Sequence, residues 1–115
     1  SMAWREGQIE SLSCIEVYPA ATLEAYGLSS RGYKGKKPEH RAARKEMISG
    51  GCGFPKLGHD LMNGMEANDD AFDAGVCLLA AADFLRGSAM GPEDMETAVK
   101  EGWIWVRARP GNERP

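Results

Sequence analysis

The longest apolar stretch of the chain is AFDAGVCLLAAADFL, residues 71–85, and only Asp73 and Asp83 interrupt it. A run of that length exceeds an ordinary strand and predicts a helix over residues 69–86. Asn68 suits the N-cap, Asp69 and Asp70 suit the first turn, and Gly87 falls where a helix-ending glycine belongs. Being apolar nearly all round, this helix is expected to be buried.

Weaker patterns fill the rest. Residues 11–18, SLSCIEVY, read as a strand that Pro19 ends. Its apolar residues fall on both faces, as in the central strand of a covered sheet. PAATLEAYG then reads as a short helix, with Pro19 in its first turn and Gly27 past its end. LSSRGYKGKK is a basic loop. PEHRAARKEMIS is a helix whose basic side faces water, stopped by GGCG. PKLGHDLMNGME is ambiguous, a turn or two of helix broken by glycines. GPEDMETAVKEG is an amphipathic helix with Pro92 near its first position, and GWIWVRAR closes the fold as a strand. AWREGQ offers a weak further strand. The order of strand, helices, strand suits an α/β domain with helices packed on a small sheet, and the sheet is short of strands.

At 115 residues the chain makes one domain, 1–115, with one modest core. Ser1 and Met2 look like the remnant of a cleaved tag, and residues 110–115 like a polar tail. No apolar run is long enough to span a bilayer and no leading signal pattern is visible, so no membrane role is expected. Cys14, Cys52 and Cys77 are odd in number and form no paired motif, a reduced, cytoplasmic pattern. Cys14 and Cys77 read as small core residues.

Charge changes the picture more. The net charge is -3, yet residues 31–46 hold seven basic and two acidic residues, +5, which leaves -8 for the rest. A basic patch on an acidic chain points to an anionic partner.

The acidic side carries the candidate chemistry. Asp70 and Asp73, three residues apart, share a helix face, and Asp69 is assigned to a different side. Dipole stabilisation of the first turn accounts for Asp69 and Asp70. Asp73 lies deeper, and a lone buried carboxylate is costly unless paired or bound to a cation. Either an Arg or backbone donor meets it, or it is a metal ligand. The reading predicts that its replacement by Asn stabilises the metal-free protein, because an unpaired buried charge is removed. Glu16 sits near the C-terminal end of the first strand, where ligands of open α/β sheets collect. Glu16, Asp70 and Asp73 together are hard oxygen ligands that suit Mg²⁺ or Mn²⁺, arranged for phosphoryl displacement. Zinc is not suited, since His40 and His59 are isolated and read as surface residues. Trp103 and Trp105 share a strand face; covering the sheet against a helix is the more ordinary role, and stacking of bases the alternative.

The segments IEVYPAATLEAYGL, GYKGKK, NDDAFDAGVCLLAA and EGWIWV resemble signature segments of the domain-of-unknown-function 429 family of predicted RNase H-like nucleases. The likeness runs in order from about Cys14 to Val106. DDAFDA is also similar to the D-x-x-D-A pattern on the last helix of Holliday-junction resolvases. The resemblance implies a partial RNase H-like fold and a divalent-metal-dependent nuclease acting on phosphodiesters. It implies that Glu16 is the central-strand acid, that Asp70 and Asp73 are the acidic pair of the last helix, and that these three hold the metal. Lys34, Lys36, Lys37 and Arg41 would then face the nucleic-acid backbone. The superfamily's opening strands, with their first catalytic Asp, are not found here, so the chain corresponds to the C-terminal portion. A homodimer that completes the sheet is therefore expected. The alternative functions are a non-catalytic, dimeric binding or interaction protein on the same scaffold, and a small-molecule phosphohydrolase.

Overall fold

A computed structural model describes Met2 and residues 13–50 and 54–108. Over these described residues the fold is mixed α/β: five helices and a small two-stranded antiparallel sheet. The helices are α1 (Pro19–Ala25), α2 (Pro38–Ser49), α3 (His59–Ala67), α4 (Asp69–Leu85) and α5 (Met95–Glu101), with a 3-10 turn at Phe54–Leu57 before α3. Strand β1 (Ala89–Met90) pairs with β2 (Val106–Arg107), Ala89 opposite Arg107 and Met90 opposite Val106. Of the described helices, none is long and apolar enough to cross a membrane.

Helix α4 is the central pillar, and its local sequence explains both ends. The Asn68 side chain accepts from the Ala71 N–H at 3.0 Å, which satisfies one of the first-turn donors. Gly87, at φ +74°, turns the chain away after Leu85. The ambiguous segment before it folds as α3, which lies against α4. Gly75 permits the approach: a Cβ there would collide with the Met65 thioether. Helix α5 starts later than Pro92 suggests, because Asp94 is the better cap. Its carboxylate accepts from both the N–H and the hydroxyl of Thr97, at 3.1 and 2.7 Å.

The core has two parts. One gathers Leu23, Tyr33, Met47, Ile48, Phe54, Met65, Phe72, Val76 and Leu79 between α1, α2, α3 and α4. Phe72 is its hub, with ring centroids 5.0 Å from Tyr33 and 5.7 Å from Phe54. The other joins Phe84, Ala89 and Trp105, with Ile15 and Trp103 against them. Trp105 meets Phe84 edge to face at 4.8 Å, and the Trp103 indole N–H donates to the Met90 carbonyl at 3.0 Å. Both tryptophans therefore cover the sheet, the more ordinary of the two roles.

Four expectations are corrected. The segment 13–18 is not a covered central strand. It makes single parallel bridges, Met2 to Cys14 and Glu16 to Ile104, and its residues alternate, with Cys14, Glu16 and Tyr18 exposed. That alternation marks a strand open on one face, and it takes Cys14 out of the core. Helix α4 is not buried all round: Leu78 and Leu85 are 48% and 58% exposed. Helix α2 does not present all its basic residues to water, because Arg44 is only 2% exposed. The weak strand at AWREGQ, Cys52 and the tail 110–115 lie outside the described residues.

Candidate functional site

The basic loop between α1 and α2 is pinned to α3 and α4 by a short list of polar contacts. Gly32 and Gly35 adopt φ +80° and +132°, conformations that allow the loop to fold back. Arg44 reaches beneath it. Its Nη1 donates to the carbonyls of Tyr33 and Gly35, at 2.6 and 2.9 Å, and its Nε to the carbonyl of Glu66 at 3.0 Å. One buried guanidinium thus ties the loop to the end of α3 through charge-assisted bonds.

Helix α4 grips the same loop from the other side. The Gly35 N–H donates to Asp69 Oδ2 at 2.8 Å. The Tyr33 hydroxyl donates to Asp73 Oδ1 at 2.8 Å, and Lys34 Nζ lies 2.8 Å from Asp73 Oδ2. Asp69 and Asp73, four residues apart, differ by about 40° of helical rotation, so they share a face after all. Burial, and then the bond and charge of Asp73, push the Tyr33 hydroxyl well above the usual tyrosine range. The hydrogen bond and charge of Asp73 raise Lys34, which keeps its ammonium firmly protonated.

Beside this pairing lies a cleft of about 430 Å³, within the range of small-molecule sites. Tyr18, Ser30, Tyr33, Lys34, His40 and Asp73 supply its polar and aromatic walls. The His40 ring packs against bare Gly35, in the space where a Cβ would stand, and its Nδ1 is buried without a hydrogen-bond partner. Lys34, Lys36, Lys37 and Arg41 are all exposed around the cleft's loop and the start of α2. Arg41 leans on Glu66 at 3.3 Å.

The proposed acidic trio is not brought together. Asp73, with an 18% exposed side chain, lines the cleft. Asp70 is exposed and does not line the cleft, though its charge adds to the field that raises Lys34. Glu16 turns its carboxylate toward Gly102, with Oε2 2.9 Å from where a Cβ would sit there, at the bridge to Ile104. Among the described residues no three His, Cys, Asp or Glu side chains converge as a metal-binding group. Asp73 already carries one protein donor on each oxygen, and a divalent ion on Oδ2 would have to displace the Lys34 cation. As arranged, these residues do not fit a carboxylate-held Mg²⁺ or Mn²⁺.

Sequence reasoning passed over Arg44, Tyr33 and Tyr18. Arg44 had a signal: it stands three and four residues before Met47 and Ile48, on the apolar side of α2. A charge on such a stripe needs partners, and the carbonyls of a glycine-bearing loop supply them.

The chain belongs to the family described as protein of unknown function DUF429, whose profile matches residues 2–97. No curated protein and no solved structure matches it significantly.

Proposed function

We propose that this domain binds nucleic acid through its phosphodiester backbone, along the face built from residues 31–46. The observation that carries the reading is the +5 balance of residues 31–46 in an otherwise acidic chain, of which Arg44 is buried while Lys34, Lys36, Lys37 and Arg41 are exposed. That face is held in shape from beneath by Arg44 and from the side by Asp69 and Asp73. Lys36 and Lys37 are exposed with no acidic partner among the described residues, so their ammonium groups are the ones most available to phosphates. Such contacts position a strand without reading its sequence. The carboxylates of α4 serve on this reading as counter-charges that order the loop, which makes the domain a non-catalytic relative of RNase H-like nucleases. The unpaired cysteine pattern supports residence in a reducing cytoplasm.

The test is fluorescence anisotropy with labelled single- and double-stranded DNA and RNA across a salt series. Binding should weaken steeply with salt. Lys36→Glu/Lys37→Glu should shrink the log–log slope by about two to four for duplex DNA, since two phosphate contacts are lost and two charges reversed. Absence of binding at low ionic strength sinks the reading.

A second reading keeps the nuclease chemistry, and it requires a rearranged site in which Mg²⁺ or Mn²⁺ displaces Lys34 from Asp73 and draws in Asp70 and Glu16. Asp73 favours it by facing the cleft. Calorimetric titration with Mn²⁺, beside the Asp70→Asn/Asp73→Asn variant, decides: heat in the parent that vanishes in the variant supports metal binding. A homodimer that completes the small sheet is compatible with either reading, and sedimentation velocity tests it.

A further inference from the structure

We infer that the cleft beside Lys34 seats a single nucleotide bearing a terminal phosphate, with its base on Tyr18; this rests on the reading that the 31–46 face meets nucleic acid. Three observations carry it. The first is size and shape: the cleft has room for one nucleotide rather than a duplex, and it opens beside the basic face.

The second is Tyr18. It lines the cleft, yet it is 56% exposed and belongs to neither core cluster. An aromatic ring left uncovered beside cations is a stacking platform that accepts any base.

The third is the donor set. The Lys34 ammonium has three N–H groups and gives one to Asp73, so two remain at a residue that lines the cleft. His40 adds a further polar group. Its Nδ1 is buried and unpartnered. The ring's other nitrogen, Nε2, is its remaining hydrogen-bonding group, on a residue that lines the cleft. Asp73 would repel a phosphate were it bare, but Lys34 and the Tyr33 hydroxyl cover its two oxygens. The net effect is a cleft with surplus donors, one aromatic wall and a positive rim. A dianionic terminal phosphate matches it better than the monoanionic phosphodiester of a continuous strand.

The experiment follows amide chemical shifts of the full chain during titration with adenosine 5'-monophosphate, adenosine and inorganic phosphate. In parallel, anisotropy compares a short single-stranded oligonucleotide carrying a 5'-phosphate with the same oligonucleotide carrying a 5'-hydroxyl. The monophosphate should bind more tightly than either of its parts and shift residues around Tyr18 and Lys34. Tyr18→Ala should weaken it about fivefold or more, the low end of a base–aromatic stack. His40→Gln should weaken the monophosphate and leave adenosine unchanged. Thermal melts confirm that both variants fold. Tighter binding of the 5'-phosphorylated strand than of the monophosphate assigns the site to strand ends, and equal binding assigns it to free nucleotides. If Tyr18→Ala and His40→Gln leave monophosphate binding unaltered, or if no monophosphate binds and the two oligonucleotides behave alike, the inference is overturned. Salt-sensitive binding of the 5'-hydroxyl strand would then keep the basic-face reading intact. Monophosphate binding without any strand binding would keep the cleft and discard the face.

Discussion

Arg44 offers the sharpest test of how the site is built. Replacing it with Met keeps most of the buried stem and removes the guanidinium. Three carbonyls, those of Tyr33, Gly35 and Glu66, then lose their donors. A hydrogen bond to a charged group contributes roughly 1.5–3 kcal/mol, and an orphaned buried acceptor costs about 1–3 kcal/mol. Against this, the variant no longer buries a cation, which returns several kcal/mol of desolvation. The balance is a loss of about 3 kcal/mol, a large share of the roughly 5–15 kcal/mol that holds a domain together. For a chain of this size that lowers Tm by about 12 °C. Urea unfolding measures it directly. Arg44→Lys should recover less than half, because one ammonium cannot span three carbonyls. Binding adds a second axis. Arg44→Met should weaken oligonucleotide binding although the side chain is buried, because it frees the loop that carries Lys34 and Lys36. Lys36→Glu should weaken binding and leave stability unchanged. A stability change for Arg44→Met within about 0.5 kcal/mol, the range of an ordinary surface substitution, would refute the reasoning.

Tyr33→Phe strips the donor from Asp73 Oδ1 and should cost about 1–2 kcal/mol in urea unfolding; an unchanged midpoint would show that the bond is idle. Asp73→Asn should lower the melting temperature of the metal-free protein, since Lys34 loses its carboxylate, and a rise would contradict the pairing. Gly35→Ala combines a φ of +132° with a collision against His40 and should cost about 1–3 kcal/mol, measurable by chemical denaturation. The Tyr26 hydroxyl is pushed up to about 12, first by burial and then by its hydrogen bond to Asp83, while Arg107 pulls the other way. The folded state therefore holds this proton more tightly than the unfolded chain. The stabilisation is complete below pH 10 and fades as pH rises from 10 to 12. Tyr26→Phe should flatten the stability profile in that window, and an identical slope in parent and variant would count against it.

The fold was legible where one residue type governs an outcome locally. Asn68, the acidic first turn and Gly87 bounded α4 to within a residue, and Pro38 with the glycines after Ser49 bounded α2. Legibility failed where the outcome depends on a neighbour that the sequence does not announce. Apolar residues on both sides of SLSCIEVY suggested a doubly covered strand, yet Cys14 and Tyr18, on one side of it, are exposed. Helix α4 was read as buried because its composition is apolar, but burial follows what packs on each face, and Leu78 and Leu85 stay about half exposed.

The site shows the same division more sharply. That a charge inside α4 must be compensated followed from composition alone, and the compensation exists. Its chemistry did not follow, because two different cations answer the same electrostatic demand: a bound metal, or an ammonium delivered by the chain itself. The choice is made by the loop. GYKGK places Tyr33 and Lys34 between two glycines whose positive φ values fold the segment back over α4, and Arg44 fixes it there from below. Asp69 belongs to the same arrangement, since a separation of four residues sets it beside Asp73 to take the Gly35 N–H. The acidic turn and the basic loop, read separately as a metal site and a phosphate-binding strip, are two halves of one structure. The acids order the loop, and the ordered loop presents the cations that remain: Lys36, Lys37 and the free donors of Lys34.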